Sequence, residues 1–445
     1  MSIQLTEEQK EASVKSLTRL INCPSFNTSD GLTNPPFGAG VQLCLEEALA
    51  ICEELGMTTY LDPNGFYAYA DYGTGTDLIG VLCHLDVVPA GDLTLWNTDP
   101  FSAVVKDGII YGRGSQDDKG PTIAALSAFK AVVDAGYTFK QRIRFVFGAD
   151  EETLWRCMAQ YNKNEEAPTM GFVPDGAFPL IYAEKGLLQV TLTGPGSEEL
   201  DLDCGDAFNV VPGNASYTGS DSKALLPHFM KLGLPVKELA GTLTVEGKAV
   251  HTSLAGSGVN AINLLAQGLV ANYPHPMIHF LAEQVGSQTN GATIFGEVKD
   301  DVSGELTFNV GMLTINKNQS EIKIDMRIPV TADKKQLVDK LQATAKEYNL
   351  KYHEFDYVPS LYVPKDSQLV ETLLGVYREA TNDLTEPITS GGATYARTMK
   401  NMVAFGAHFP TSVGLAHQAN EGLVLEELYK ATEIYAAAIK KLCCE

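Results

Sequence analysis

The chain has few positive charges and no long apolar run, and these two deficits exclude several classes of protein. Its 445 residues contain 33 Lys and Arg against 55 Asp and Glu, which gives a formal net charge of -22. Such a charge repels phosphate backbones, so nucleic-acid binding is not expected. No apolar stretch approaches the roughly 20 residues that a membrane-spanning helix needs, so we expect no membrane partner.

Signals for secretion and for a disulfide framework are also missing. The first residues, MSIQLTEEQKEASVK, lack the apolar segment of a secretory signal. The eight cysteines show no CxxC pairing, and free thiols are the default in a cytoplasmic chain of this size. Because 44% of the residues are hydrophobic, the chain can bury a sizeable core. We therefore expect a cytoplasmic globular protein.

Helix and strand patterns alternate in the first part of the chain. Thr6 and Gln9 are spaced as a capping box at the start of a helix. Apolar runs at 78–82, 142–148 and 172–174 have the length of buried strands, and an amphipathic helix lies between the first two. This alternation predicts an α/β domain with a mixed, largely parallel sheet.

The pattern changes after residue 186. Four later segments alternate between apolar and polar residues, as half-buried strands of an antiparallel sheet do. These segments are 187–193, 241–250, 306–315 and 321–328. From residue 358 the chain returns to helix, strand and a long final helix over 421–442. We therefore predict an α/β domain formed by residues 1–186 and 358–445, interrupted by an inserted α+β domain over residues 187–357.

The stretch from residue 81 to residue 120 carries a dense set of candidate functional residues. His84 and Asp86 follow an apolar strand, and strand alternation directs both side chains to the same side. A carboxylate beside an imidazole can fix which ring nitrogen carries the proton, as in many metal-binding histidines. Asp117 and Asp118 lie on a glycine-rich corner before a helix. An aspartate there could also be an N-cap, so both interpretations remain open.

Further acids lie where an α/β sheet places its ligands, at the carboxyl ends of strands, and a second histidine lies later in the chain. Glu151 and Glu152 leave one strand, Asp175 follows another, and His417 precedes the last helix. Adjacent glutamates could equally be solvated residues at a helix start. Histidines and carboxylates together are ligands that zinc accepts. An excess of acids suggests two ions bridged by a carboxylate, with one acid left as a general base.

Read in order, the motifs of this chain resemble those of a known family. They are HLDVVPAGD, DPF, IYGRGSQDDKGP, DEE, GFVPDG, AEKG, GKAVHTS and SGGATYAR. They resemble the co-catalytic zinc metallopeptidases, which include carboxypeptidase G, aminoacylases, desuccinylases of diaminopimelate synthesis, carnosinases and bacterial dipeptidases. The resemblance covers nearly the whole chain and is strongest to the peptidase V type of bacterial dipeptidase.

The resemblance implies a role for each candidate in the α/β domain, which would be the catalytic domain. Five residues would hold two zinc ions, with Mn²⁺ or Co²⁺ as other options. The first ion would take His84 and Asp175, the second Glu152 and His417, and both would share Asp117. Glu151 would be the general base, and the carboxylate of Asp86 would hold His84. Asp118, commonly joined to the bridging aspartate by an unusual peptide in this family, would bind no metal.

The inserted domain would be a lid that supplies substrate contacts. His251, in GKAVHTS, would stabilise the oxyanion, although a surface histidine at a strand end would look the same. Asn209 and Arg327 would contact the substrate, since a planar guanidinium suits a terminal carboxylate. Gly392 and Thr394, in the GGATY turn of the catalytic domain, would hold the same end of the substrate.

These implications describe a cytoplasmic two-zinc metallopeptidase that cleaves dipeptides or very short peptides. A monomer is expected, with a dimer as the other option. Two alternatives stand beside the dipeptidase: an N-acyl amino acid deacylase with the same metal centre, and a binding relative without catalysis. The chain departs from the family pattern at GDLTLW after Ala90 and at TLWRC after Glu152.

Overall fold

The structure is a computed structural model that describes residues 3–29 and 31–444. The chain forms two compact units. The first takes the chain up to Tyr182, Val363–Ile388 and the residues from Thr394 onward, and the second takes Ala183–Tyr362 and Thr389–Ala393. The predicted boundaries at residues 187 and 357, and the catalytic and lid roles, stay predictions.

Helices and strands are numbered here in chain order. The helices are α1 (Glu7–Ile21), α2 (Ala39–Glu54), α3 (Lys119–Asp134), α4 (Arg156–Asn164), α5 (Ser222–Lys231), α6 (Ala261–Leu269), α7 (Pro276–Phe280), α8 (Ala292–Phe295), α9 (Lys334–Glu347), α10 (Gln368–Thr381) and α11 (Leu425–Cys443). The strands are β1 (Thr58–Leu61), β2 (Tyr67–Tyr72), β3 (Leu78–His84), β4 (Val104–Lys106), β5 (Ile109–Tyr111), β6 (Arg142–Gly148), β7 (Met170–Val173), β8 (Gly176–Ala177), β9 (Ile181–Glu184), β10 (Gly186–Pro195), β11 (Leu202–Cys204), β12 (Val210–Val211), β13 (Asn214–Thr218), β14 (Val236–Leu239), β15 (Thr242–Glu246), β16 (Val250–His251), β17 (Lys299–Asp300), β18 (Gly304–Glu305), β19 (Thr307–Ile315), β20 (Gln319–Ile328), β21 (Lys351–Val358), β22 (Leu361–Tyr362), β23 (Ile388–Ser390), β24 (Met402–Ala404), β25 (Ala407–His408) and β26 (Gly422–Val424).

The main sheet of the first unit has strand order β1-β2-β6-β3-β7-β24-β9. Its central pairs, β6 with β3, β3 with β7 and β7 with β24, are parallel. The flanking pairs, β1 with β2, β2 with β6 and β24 with β9, are antiparallel. Every residue of β3 is buried, which explains its unbroken apolar run. The predicted α/β fold with a mixed sheet is confirmed, and the parallel strands are the central ones.

The ends of two helices test the local predictions. The hydroxyl of Thr6 accepts the N–H of Gln9 at 3.2 Å, and the Gln9 side chain accepts the N–H of Thr6 at 3.1 Å, so the predicted capping box is present. The last helix begins at Leu425 and not at the predicted residue 421. The earlier start was wrong because Gly422–Val424 pairs with β5 as an antiparallel strand.

The second unit is built on a five-stranded sheet of order β11-β19-β20-β10-β21, in which all pairs are antiparallel. Alternate residues of β10, such as Leu188, Val190 and Leu192, are buried in a hydrophobic core with residues of α6 and α9. This arrangement has the α+β character predicted for the inserted part. In the described residues of either unit, no helix combines the length and the apolar character needed to cross a membrane.

Glycine permits the close approach of two central strands of the sheet, β3 and β7. A Cβ on Gly171 in β7 would lie 1.9 Å from the carbonyl oxygen of Gly80 in β3. We expect Gly171→Ala to lower the free energy of unfolding by about 1–3 kcal/mol, because the strands must separate to admit the methyl group. Urea unfolding followed by circular dichroism measures this change.

Gly375 in α10 is the matched control, since a Cβ there would meet nothing within 4 Å. Gly375→Ala is expected to raise the free energy of unfolding by roughly 0.5–1 kcal/mol, because alanine loses less backbone entropy in a helix. Equal effects of the two substitutions would contradict the packing argument.

Candidate metal centre

Three neighbouring parallel strands of the first unit end at the same edge of the sheet, and each delivers a candidate ligand. His84 is the last residue of β3. Glu151 and Glu152 follow the end of β6, and Asp175 follows the end of β7. The carboxyl ends of parallel strands are the usual place for ligands in such sheets. Residues 151–154 form turns before α4 begins, so the two glutamates are not at a helix start.

Asp117 lies between the two histidines. Its Oδ1 is 2.9 Å from Nε2 of His84, and its Oδ2 is 3.1 Å from Nε2 of His417. The two oxygens of one carboxylate therefore face two different imidazoles. His84 is fully buried at the strand end, whereas His417 comes from the irregular loop 409–421 between β25 and β26 and is half exposed.

The remaining acids divide between the two histidines. Oε1 of Glu152 lies 3.1 Å from Nε2 of His417, and Oδ2 of Asp175 lies 3.7 Å from Nε2 of His84. Potential ligand atoms of His84, Glu151 and Asp175 lie within 4.8 Å of one another. Those of His84, Asp117 and Glu152 form a second such group. The donor set of imidazole nitrogens and carboxylate oxygens fits zinc and similar first-row cations.

The fully buried Asp86 lies beside His84 with both its main-chain carbonyl and its carboxylate, and its predicted role of holding that ring stays a prediction. Nδ1 of His84 lies 2.9 Å from the main-chain carbonyl oxygen of Asp86 and 3.6 Å from its carboxylate. The carbonyl accepts the hydrogen of Nδ1, and Nε2 faces the carboxylate of Asp117. The carboxylate also accepts the main-chain N–H groups of Glu151 at 3.1 Å and Glu152 at 3.0 Å. Asp86 therefore ties the glutamate turn to the strand end that carries His84.

Asp118 has neither a ligand position nor a capping bond. A cis peptide joins it to Asp117, and its Oδ2 accepts the N–H of His84 and the hydroxyl of Thr122, both at 3.2 Å. It occupies the N-cap position of α3, but its side chain makes no hydrogen bond that caps the helix. The N-cap interpretation of this corner is therefore not supported. Burial raises the pKa of the Asp118 carboxyl to about 7.

Three acids of the centre hold their protons more tightly than acids in water. Burial raises the pKa of Glu151 well above its usual value against the opposing charge of His84, and the charges of Asp175 and Glu152 add to the rise. Burial likewise raises the pKa of Asp175, to which the charge of Asp117 adds. Glu152 also has a raised pKa through burial. Carboxylates gathered in this way ionise together only when positive charge balances them.

The histidines and Asp117 are instead stabilised in their charged forms, so the pKa of each histidine is raised and that of Asp117 is lowered. The hydrogen bonds of Asp117 and Glu152 raise the pKa of His417 to about 10. Burial would lower the pKa of His84, but the hydrogen bonds to Asp117 and Asp86 and the charges of Asp117 and Asp175 together raise it. Burial would raise the pKa of Asp117, but its bonds to His417 and His84 lower it. Protonation of the two imidazole rings would therefore balance part of the acid charge.

Glu421 belongs to the centre although sequence reasoning gave it no role. It is fully buried, and its carboxylate accepts the N–H of Gln116 at 2.8 Å and the N–H of Asp117 at 3.3 Å. Nη1 of the buried Arg113 donates to it at 2.6 Å. The pair fixes the main chain on which the Asp117 side chain stands. In the sequence this pair is visible only as Arg113 of the GRG motif and as the acid Glu421 shortly after His417. Neither residue by itself predicts a contact with the other.

The predicted substrate residues of the second unit include Arg327, which is buried. Its Nε and Nη2 donate to the two carboxylate oxygens of Asp325 at 2.6 and 3.1 Å. Its Nη1 donates to the carbonyl of Gly391 at 2.8 Å. The guanidinium is therefore held in one orientation by an acid and a carbonyl.

His251 of the second unit is oriented by a neighbouring serine. Its Nδ1 accepts the N–H of Ser253 at 3.2 Å and lies 2.8 Å from the Ser253 hydroxyl. Partial burial and then the charge of Arg327 lower the pKa of His251, so the ring is neutral near pH 7. Because Nδ1 accepts an N–H, the proton of the neutral ring lies on Nε2.

The other residues predicted to contact the substrate form hydrogen bonds within the protein. Asn209, in the second unit, is exposed, and its carbonyl accepts the N–H of Thr252 at 2.9 Å. The N–H of Gly392, in the same unit, donates to the hydroxyl of Ser390 at 2.9 Å. In the first unit the hydroxyl of Thr394 accepts the N–H of Ala396 at 3.2 Å. Their roles towards a substrate stay predictions.

The chain belongs to the Peptidase family M20/M25/M40, whose profile matches residues 80–441, and it is a metallopeptidase of that family. The "Putative dipeptidase YtjP" of Bacillus subtilis (strain 168) is 37% identical over 431 residues, with 92% of each chain covered. The resemblance drawn from the motifs is confirmed by this membership.

Solved structures of related enzymes have the same fold. Human carnosine dipeptidase 1 matches with a TM-score of 0.60 at 14% identity, over 97% of this chain and 96% of that one. The di-peptidase Dug1p of Saccharomyces cerevisiae matches with a TM-score of 0.61 at 14% identity, over 98% of this chain and 96% of that one. At these identities the likeness extends to the fold alone.

The role of Asp86 can be tested through the turn that it holds. Asp86→Asn replaces one carboxylate oxygen with an amide NH₂ group, which cannot accept a hydrogen bond. The main-chain N–H of either Glu151 or Glu152 therefore loses its acceptor. We expect the affinity for Zn²⁺ to fall by about 10–100-fold, as is usual when a residue that orients metal ligands is changed. Competition with a chromophoric chelator measures the affinity.

Asp92→Asn is the matched control, because Asp92 lies on the surface and its carboxylate bonds Thr94. It should bind Zn²⁺ as the parent does. If Asp86→Asn also matched the parent, the turn would not depend on this carboxylate.

Proposed function

We propose that the protein is a dipeptidase with two zinc ions. The observation that carries this proposal is the position of the Asp117 carboxylate between two histidines. One carboxylate meets His84 through one oxygen and His417 through the other. Asp175 lies on the His84 side and Glu152 on the His417 side. A bridging acid with one histidine and one further acid on each side is the ligand set that two adjacent cations require. Mn²⁺ or Co²⁺ would suit the same donors.

The reaction proposed is hydrolysis of a peptide bond. A pair of bound cations would supply Lewis-acid chemistry, acidifying a water molecule and polarising the scissile carbonyl. Glu151 would accept the proton as the water oxygen bonds to the carbonyl carbon, and would pass it to the amine nitrogen as the C–N bond breaks. One observation supports Glu151 over Glu152 as the general base, namely that Glu152 is engaged by His417. The raised pKa of Glu151 is compatible with an acid that must hold a proton.

We further propose that the second unit is a lid that binds the substrate. Arg327 uses three of its five N–H groups on Asp325 and Gly391, and the other two could meet the terminal carboxylate of a dipeptide. The Nε2 proton of His251 suits a donor to the developing oxyanion. Asn209 would add a contact beside them. Gly392 and Thr394 would hold the same terminal carboxylate if their present partners gave way.

The names of relatives favour a dipeptidase over a deacylase. The Bacillus relative and both solved structures bear names of dipeptidases, and this substrate class is carried over here as part of the proposal. We propose a monomer that works in the cytoplasm. The eight cysteines are free and buried, which suits a reducing compartment.

A substrate comparison tests the proposal directly. Purified protein loaded with Zn²⁺ or Mn²⁺ is assayed on a set of dipeptides and on the matching N-acetyl amino acids. We expect hydrolysis of dipeptides with kcat/KM at least tenfold above that for the N-acetyl compounds, because Arg327 and the lid would read both ends of a dipeptide. The reverse order would favour the deacylase, and no hydrolysis of either class with metal bound would favour a binding protein.

Two adjacent glutamates provide the sharpest test of the mechanism. Glu151→Gln should retain both ions and lose about 10²–10⁴-fold in kcat, because an amide cannot shuttle the proton. Glu152→Gln should instead lose affinity for one ion. Metal analysis and steady-state kinetics on the same samples separate the two outcomes. Loss of metal from Glu151→Gln, with Glu152→Gln unaffected, would exchange the two roles.

A further inference from the structure

Gln116 uses its whole side-chain amide to hold the loop that carries His417. Nε2 donates to the carbonyl of Val413 at 3.0 Å and to the carbonyl of Gly422 at 2.7 Å. Oε1 accepts the N–H of Leu415 at 2.8 Å. Gln116 itself is buried, with 6% of its surface exposed. A single amide thus fastens both ends of the segment within which His417 lies.

The other half of the centre needs no such fastening. His84 is the last residue of the buried central strand β3, and Asp175 follows β7, which pairs with β3 in parallel. The hydrogen bonds of the sheet therefore fix their positions. His417 lies in an irregular loop, so its position relative to Asp117 depends on side-chain contacts. An exposed loop without a repeating hydrogen-bond pattern opens more easily than a central strand.

Gln116 immediately precedes Asp117 in the chain, so it connects the corner that carries Asp117 with the loop that carries His417. Its main-chain N–H, like that of Asp117, donates to the carboxylate of Glu421. Glu421 lies at the far end of the same loop as His417. The side chain of Gln116 holds the loop from one side, and the carboxylate of Glu421 holds the main chain of Gln116 in return.

We infer that Gln116 is a positioning residue for the His417 half of the metal centre, which it holds at the distance from Asp117 that a second cation requires. Gln116 does not touch the cations or the substrate. The inference rests on the two-metal centre proposed above. The binding of the two cations would therefore depend on different parts of the fold. Binding on the His84 side would depend on the sheet, and binding on the His417 side would depend on Gln116.

The test is Gln116→Met, which keeps the length of the side chain and removes all three hydrogen bonds. Metal-free protein is titrated with Zn²⁺ in competition with a chromophoric chelator, and two binding steps are resolved. We expect one step to weaken by about 10–100-fold and the other to stay within twofold of the parent. His417→Ala identifies the step that belongs to the His417 side, and Gln116→Met should weaken that same step.

Gln418→Met is the matched control, because Gln418 is exposed in the same loop and its amide donates to Gly414 at 3.2 Å within that loop. It should bind both ions as the parent does. If Gln116→Met fails to fold, Gln116→Asn replaces it, since asparagine is one methylene too short to reach both carbonyls.

The outcomes separate this inference from the function proposed above. Unchanged binding in the Gln116 variant, or equal weakening of both steps, would overturn the positioning role while leaving the dipeptidase proposal in place. A parent protein that bound a single ion would overturn the two-metal centre itself. Because the readout is metal binding, the result does not depend on which substrate the enzyme prefers.

Discussion

Negative charge concentrated at one edge of the main sheet is the constraint on which the rest of the first unit depends. Asp117, Glu151, Glu152 and Asp175 converge there, and burial with mutual repulsion raises the pKa of the last three. Such a cluster is costly to hold in a fold unless positive charge enters it. Protonated histidines would supply part of that charge, and divalent cations would supply the remainder.

The scaffold meets this constraint by two physical means. Parallel strands in register bring His84 and the acids after β6 and β7 to one edge, and main-chain hydrogen bonds hold them there. The corner with Asp117 and the loop with His417 lie outside the sheet, so buried polar side chains must hold them. Asp86, Gln116 and Glu421 hold these segments by accepting from or donating to main-chain groups. Each of these main-chain groups thereby has a hydrogen-bond partner, as buried polar groups require.

Much of the fold could be predicted because it follows from local patterns. The capping box at Thr6, the buried strand ending at His84 and the alternating strands of the second unit are each encoded within short segments of the chain. The last helix was placed too early because Gly422–Val424 continues the apolar pattern of the helix. Its pairing with β5, which lies far earlier in the chain, decides its conformation. No local pattern reveals such a partner.

By itself the sequence determined which chemical groups the protein has for its site: histidines and acids after strands, in motifs that resemble one peptidase family. The types and the order of these residues are properties of the sequence, so the candidate ligands could be named without the structure. Only the tertiary structure decided how the site is held. The carboxylate of Asp86 holds the turn with Glu151 and Glu152, and Gln116 holds a loop that is distant in the chain. These contacts depend on the path of the main chain after each strand, which arises only when distant segments pack together.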